Sequence, residues 1–143
     1  MKIENIEISE KIQKALEEMG FEELTQIQLE AIPHILEGRD IIAQSNTGTG
    51  KTAAFGIPVI QGIDTDVKRP QAIALCPTRE LAVQVANEFK KMSKFIDGLK
   101  IVSVYGGADI KGQIDKLRGG AQIIIGTPGR VIDLIDRGVI KLD

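Results

Sequence analysis

The sequence predicts an α/β fold, a parallel sheet flanked by helices. Three observations lead there: four short apolar runs of β type, a loop of Gly, Pro, Ser or Thr after each, and a helical stretch after each loop. The runs are Ile41 to Gln44, Ala72 to Cys76, Ile101 to Tyr105 and Ile123 to Ile125. They lack polar alternation, which fits strands covered on both faces, and strands alternating with helices imply parallel pairing with right-handed crossovers. All four loops then fall on one edge of the sheet. Helix N-termini at that edge present unpaired N–H groups and the positive end of the macrodipole, so several of them in a row suit phosphates.

Two helices precede the first run. The first is entered at Ser9 as N-cap, carries Ile12, Leu16 and Met19 on one face and stops at Gly20. The second begins at Thr25 and runs through Ile27, Ala31, Ile32 and Ile35 towards Gly38, with Pro33 inside it as a kink or a tight turn. Further along, Asp64 to Pro70 reads as a polar surface loop. Lys90, Lys91 and Lys94 share a helix with Val85, Phe89 and Met92, which makes the lysines a solvated face. His34 has no ligand-like neighbour in sequence and reads as a surface residue.

A length of 143 residues suits one domain with a packed core, and 43% apolar with 27% charged residues is ordinary for a globular protein. The formal net charge is only -2, so the whole-molecule field does not draw in a polyanion, and phosphate binding must come from local geometry. A single cysteine, Cys76, excludes an intramolecular disulfide and reads as a buried inert thiol. The start Met1-Lys2-Ile3-Glu4 lacks the apolar run of a signal peptide, and no stretch is long enough to span a bilayer. A cytoplasmic protein with no membrane partner is expected.

The run ending at Gln44 leads into Ser45-Asn46-Thr47-Gly48-Thr49-Gly50-Lys51-Thr52 and then a helix, the context that a phosphate-binding P-loop requires. Gly48 and Gly50 let the backbone curl so that N–H groups face a β-phosphate. Lys51 supplies a point charge to the β- and γ-phosphates, and Thr52 offers its hydroxyl to Mg²⁺. Lys51 and Thr52 are therefore the candidate catalytic pair, with Thr52 the candidate metal ligand. Ser45 stands where G-x-x-x-x-G-K-[ST] has its first glycine, so a slightly different turn is expected.

Gly20-Phe21 followed by Thr25-Gln26-Ile27-Gln28 resembles the Q motif of DEAD-box ATP-dependent RNA helicases, in its place upstream of the P-loop. The resemblance implies that Gln28 reads the hydrogen-bonding edge of adenine with both its amide groups and that Phe21 packs near the base. Amide side chains can pair bidentately with an adenine edge. Thr25-x-x-Gln28 is also a capping box, in which the two side chains satisfy helix-start N–H groups, and Thr25 can cap while Gln28 reads the base. Leu24 stands where the family usually has proline, which removes no recognition group.

Pro77-Thr78-Arg79-Glu80-Leu81-Ala82 resembles the family's motif Ia, Gly106-Gly107 its GG loop, and Thr127-Pro128-Gly129-Arg130 its motif Ib. In the family these loops grip the sugar-phosphate backbone of one RNA strand, so Pro77, Thr78, Arg79, Gly106, Gly107, Thr127, Pro128, Gly129 and Arg130 are the candidate RNA-binding residues. The groups suit that role: helix-start amides, guanidinium forks, and glycines that admit a close phosphate. Such contacts carry no sequence information. Each loop also has a local reading, with Thr78 as an N-cap, Pro128 at a first helical position and Gly106-Gly107 as a turn.

The resemblance covers nearly the whole chain. It implies a RecA-like P-loop domain with ATP and Mg²⁺ as cofactors, residues 1–39 forming N-terminal helices with the Q motif and residues 40–143 a partial RecA-like domain. The family's Asp-Glu-Ala-Asp run lies on a further strand, the Walker B strand, and no Asp-Glu dipeptide occurs in these 143 residues. The chain is thus expected to stop before that strand, to bind nucleotide without hydrolysing it, and to lack the second RecA-like domain. In the family's topology the strands beyond this point lie between the P-loop strand and the rest of the sheet. Bare strand edges are therefore expected, relieved by re-pairing, domain swapping or a partner chain. Two other readings compete: a P-loop NTPase of another kind, which would not need Phe21 and Gln28, and a non-catalytic RNA-binding module that uses the loop only for shape.

Overall fold

The computed structural model describes residues 7–46 and 50–142. They fall into two compact units, one made of Met1–Gly62 with Glu88–Asp97, the other of Ile63–Asn87 with Gly98–Asp143.

The first unit is helical. Helix α1 (Glu10–Glu18) begins at N-cap Ser9, whose hydroxyl accepts from the Ile12 N–H at 3.4 Å. Its apolar stripe buries Ile12, Ala15 and Leu16, and Gly20 at φ +90° turns the chain away. Helix α2 (Gln26–Leu36) starts after Thr25, where the capping box with Gln28 is formed, and continues through Pro33. Proline lacks the N–H that a helix interior uses, yet α2 runs on and the Pro33 carbonyl accepts from the Glu37 N–H at 3.1 Å. Helix α3 (Lys51–Gln61) starts at Gly50 in the left-handed region, φ +84°.

Helix α3 packs on α2 and, through Gly56, on the end of α4 (Arg79–Met92). A Cβ at Gly56 would lie 2.6 Å from Met92 Cε and 3.0 Å from Phe89 Cε1, so glycine is what allows this approach. Phe55 and Phe89 meet there as a tilted pair with ring centroids 5.7 Å apart, a geometry that suits the aromatic quadrupoles. Phe89 and Met92 are buried while Lys90 and Lys91 are exposed, the solvated lysine face that the apolar spacing predicts. Lys94, expected on the same helix, lies past the end of α4 and pairs with Glu18 at 2.7 Å. His34 is exposed too.

The second unit holds a three-stranded parallel sheet in the order β1-β3-β2, with β1 at Ala72–Leu75, β2 at Ile101–Val104 and β3 at Ile123–Gly126. Ala72 and Ile101 both pair with Ile123, and Leu75 and Val104 both pair with Gly126. All three strands therefore end level. Central β3 is buried throughout, as its unbroken Ile-Ile-Ile-Gly predicts for a strand covered on both faces. Val102, Val104 and Ile124 form a core with Leu117 of α5 (Ile110–Arg118) and with Val131 and Leu134 of α6 (Pro128–Asp136). At the amino end, fully buried Gln122 accepts from the Lys100 N–H at 2.7 Å and donates to the Gly98 carbonyl at 2.9 Å, locking the loop before β2 to β3. The Asp64 to Pro70 loop is closed by Gln71, which donates to the Asp64 and Val67 carbonyls.

The structure corrects one element. Ile41 to Gln44, predicted as a fourth strand buried on both faces, carries no strand pairing, and Ile41 and Ile42 are 38% and 104% exposed. An apolar run gains strand structure only when a neighbour takes its N–H and C=O groups. Re-pairing within the described residues does not occur, and Leu75 on outer strand β1 is 59% exposed.

Candidate functional site

In the first unit, the start of α2 and the segment before α3 form one side of a nucleotide-sized site. Gln28, 1% exposed, accepts from the Thr25 N–H at 2.9 Å and donates through Nε2 to the Gly50 carbonyl at 3.1 Å. A Cβ at Gly50 would collide with Gln28 Nε2 and reach within 3.4 Å of Thr25 Oγ1. Glycine is thus required at position 50 twice, by its positive φ and by the close approach. The capping reading of Thr25 and Gln28 is observed. Both amide atoms of Gln28 hold protein partners here, so pairing with a base edge entails giving up the Gly50 bond or sharing its amide.

Lys51 opens α3, is exposed, and points its ammonium at the Ser45 carbonyl, 2.9 Å away. The cation therefore bends back to the segment that precedes its helix. Thr52 sits half-buried in the first turn of the same helix. Thr47, Gly48 and Thr49, the middle of the predicted phosphate loop, lie outside the described residues. Thr25, Gln26, Ile27 and Glu30 on one side and Gln44, Ser45 and Asn46 on the other line an open concavity of about 640 Å³, within the range of small-molecule and cofactor sites. Phe21 is half-buried, its N–H bonded to the Leu16 carbonyl at 2.9 Å, and is not part of that lining.

The residues present fit a nucleoside phosphate, since a left-handed glycine, a helix N-terminus and an exposed ammonium lie together at the start of α3. Thr52 carries a hydroxyl in the first turn of α3, an oxygen of the type that Mg²⁺ takes beside phosphate oxygens, carboxylates and water. Among the described residues no cluster of His, Cys, Asp and Glu is built to hold a metal by itself.

In the second unit the three strand ends deliver the three predicted loops together. After β1, exposed Pro77 and Thr78 lead into α4, and the Thr78 hydroxyl accepts from the Leu81 N–H at 3.2 Å. The remaining first-turn N–H groups need an outside acceptor. Arg79 lays its guanidinium over the Tyr105 ring at 5.0 Å, an attraction that fixes the cation without neutralising it. After β2 come exposed Gly106 and Gly107, the latter at φ +77°, and a Cβ there would stand 3.5 Å from Arg79 Nη1. After β3, the Thr127 N–H bonds the Val104 carbonyl at 3.1 Å, and Pro128 and Gly129 open α6 at the surface.

Arg130 donates from Nη1 and Nη2 to the Ala108 carbonyl, both at 3.4 Å, and from Nη1 to Gln113 Oε1 at 3.1 Å. Among the described residues no acceptor takes its Nε–H, which leaves the Nε/Nη2 edge of the fork for an oxyanion. Gln113 itself is 7% exposed and bridges both backbone groups of Tyr105, accepting from its N–H at 3.3 Å and donating to its carbonyl at 3.0 Å. Sequence reasoning missed Gln113 and Tyr105. The signal was a polar residue on the Ile110, Ile114, Leu117 stripe of a helix, where burial is dictated.

Cys76, at the end of β1, is 6% exposed, and burial pushes its thiol pKa up from the ordinary value of 9.0. No helix among the described residues is long and apolar enough to cross a membrane.

A family model for the DEAD/DEAH box helicases matches residues 25–142. The chain is 51% identical over 136 residues to the ATP-dependent RNA helicase CshA of Listeria monocytogenes, covering 95% of this chain and 26% of that protein. It is 47% identical over 131 residues to the ATP-dependent RNA helicase DeaD of Escherichia coli, covering 92% of this chain and 21% of that protein. A crystal structure of a DEAD box protein from Methanococcus jannaschii superposes with a TM-score of 0.92 at 43% identity, over 99% of this chain and 39% of that one. Dbp5 of S. cerevisiae, solved bound to RNA and ADP BeF3, superposes with a TM-score of 0.88 at 33% identity, over 99% of this chain and 36% of that one. The chain spans about a quarter of the length of the curated relatives it matches.

Proposed function

Because this chain belongs to the DEAD/DEAH box helicase family, we propose that it supplies the ATP-binding and RNA-backbone-binding surfaces of an enzyme that opens short RNA duplexes using ATP. The observation that carries the reading is the bond from Gln28 to the Gly50 carbonyl, which ties the residue expected to read adenine to the loop expected to hold phosphate. Lys51 would hold the β- and γ-phosphates and Thr52 would offer its hydroxyl to Mg²⁺. The bound metal and nucleotide together supply phosphoryl-transfer chemistry. RNA would be held by its phosphates at Arg79, Gly106 and Gly107, and Arg130, with Pro77, Thr78, Thr127, Pro128 and Gly129 shaping the two helix entries. Dbp5, solved with RNA and ADP BeF3, is a relative that takes both ligand classes.

Binding is the part assigned to this chain by itself. Hydrolysis needs carboxylates to place the metal and the attacking water, and these residues contain no Asp-Glu pair. Thermal unfolding with and without Mg-ATP tests the reading, because a ligand that binds only the folded state raises its stability. The midpoint should rise for the parent chain and stay put for Lys51→Ala. No rise in either would point to a module that uses the loop only for shape.

A second reading concerns assembly. Ile42 is fully exposed and Leu75 on the outer edge of β1 is 59% exposed, and an open apolar edge recruits other chains. Self-association or strand swapping of the isolated chain follows. Sedimentation velocity across a concentration series tests it, and a monomer at every concentration would refute it.

A further inference from the structure

We propose that Gln113 is the positioning residue that sets Arg79 and Arg130 as a pair towards the phosphodiester backbone of single-stranded RNA, an inference that rests on the RNA reading above. One buried amide fixes both guanidinium groups. Its Nε2 and Oε1 clasp the carbonyl and N–H of Tyr105, where the chain leaves β2, and the Tyr105 ring is the platform on which Arg79 lies. The same Oε1 accepts from Arg130 Nη1, while the Ala108 carbonyl takes the end of the fork.

The consequence is chemical as well as geometric. An amide holds Arg130 by a neutral oxygen, so the full positive charge remains for a phosphate, whereas a carboxylate at the same place would cancel it. Gln113 also uses the bonds that the end of β2 has no strand partner to make, so Tyr105 keeps its place without another strand. With the Ala108 carbonyl and Gln113 occupying Nη1 and the end of the fork, the Nε/Nη2 edge is the one left over. That edge has the parallel N–H pair that matches a phosphate.

The test measures binding of a fluorescein-labelled oligouridine to the chain by anisotropy over a salt series. It compares the parent, Gln113→Met, Gln113→Glu, Arg79→Ala with Arg130→Ala, and that pair combined with Gln113→Met. Affinities are read at a temperature where circular dichroism shows each variant folded. Gln113→Met should weaken binding roughly tenfold in the parent and less than about twofold once both arginines are gone, because interacting sites are not additive. Gln113→Glu keeps the acceptor and the size, so it serves if the methionine variant does not fold. It should lower the slope of log affinity against log salt by about one phosphate contact, a change that loosened packing alone does not produce.

Parent-like affinity and salt slope in the Gln113 variants, with weakened binding in the arginine pair, would overturn the positioning role. An equal loss from Gln113→Met in both backgrounds would overturn it as well. If the arginine pair bound as tightly as the parent, the RNA reading itself would fail and the role of Gln113 with it.

Discussion

Gln28 and Gly50 are 22 residues apart in sequence and joined by a side-chain bond of 3.1 Å. The same amide caps α2 through the Thr25 N–H at 2.9 Å. A residue 1% exposed thus supports a helix start and a loop end at once.

Gln28→Ala should therefore cost stability before any ligand is added. Removing the amide strips the Gly50 carbonyl of one of its two donors, the Ala54 N–H at 3.1 Å being the other, and takes the acceptor from the Thr25 N–H. Two lost hydrogen bonds are worth about 1–3 kcal/mol. Urea unfolding should show a lower midpoint with an unchanged slope. A midpoint equal to the parent's would mean that the bond to Gly50 holds nothing in place.

Gly126→Ala should destabilise the second unit. A Cβ there would lie 2.5 Å from Val104 Cγ2, 2.7 Å from the Val104 carbonyl and 2.8 Å from Val131 Cγ2. One of these contacts is to the backbone and two are to β-branched side chains, all of which yield little, and overpacking of this kind costs about 1–3 kcal/mol. The expected readout is a lower thermal midpoint together with weaker RNA binding, since the Thr127-Pro128 helix entry follows directly.

Much of the architecture was legible in the residues. Apolar runs and glycine or proline loops placed three strands within a residue of their ends. Ser9, Thr25 and Pro128 marked helix starts through local chemistry. Ile41 to Gln44 was misread because a strand is defined by what pairs with it, and its own apolar sequence says nothing about whether that partner is present. Gln113 was missed for the opposite reason: motif reading looks at loops, whereas this side chain acts from inside a helix. Gln28 was found through its motif, yet its bond to Gly50 needed the three-dimensional path of the chain.

Stability should fall above neutral pH through Cys76. Burial raises the folded thiol's pKa above 9.0, so the folded state keeps its proton after the unfolded state has lost it. The contribution is intact below the unfolded pKa and is lost as pH rises from there through the folded value. Unfolding midpoints of the parent and Cys76→Ala, compared from neutral pH to well above 9.0, should fall more steeply in the parent than in the variant. Alkylation by iodoacetamide at neutral pH should also be slower than for free cysteine.

The chain should release no phosphate above background with saturating RNA and Mg-ATP, even where it binds both. Lys51 and Thr52 bind and orient, and without the carboxylates the barrier to attack by water stays high. Turnover comparable with that of a full helicase would contradict this and would call for a base or metal ligand elsewhere in the chain.

Calorimetric titration of the chain with Mg-ATP and with Mg-GTP goes most directly to the joint between Gln28 and the phosphate loop. Measurable binding of the adenine nucleotide, at least about tenfold weaker binding of the guanine one, and loss of that preference in Gln28→Ala are the predicted results, a discrimination reasonable for a site that hydrogen-bonds its base. Equal affinity for both nucleotides, unchanged by Gln28→Ala, would contradict the account.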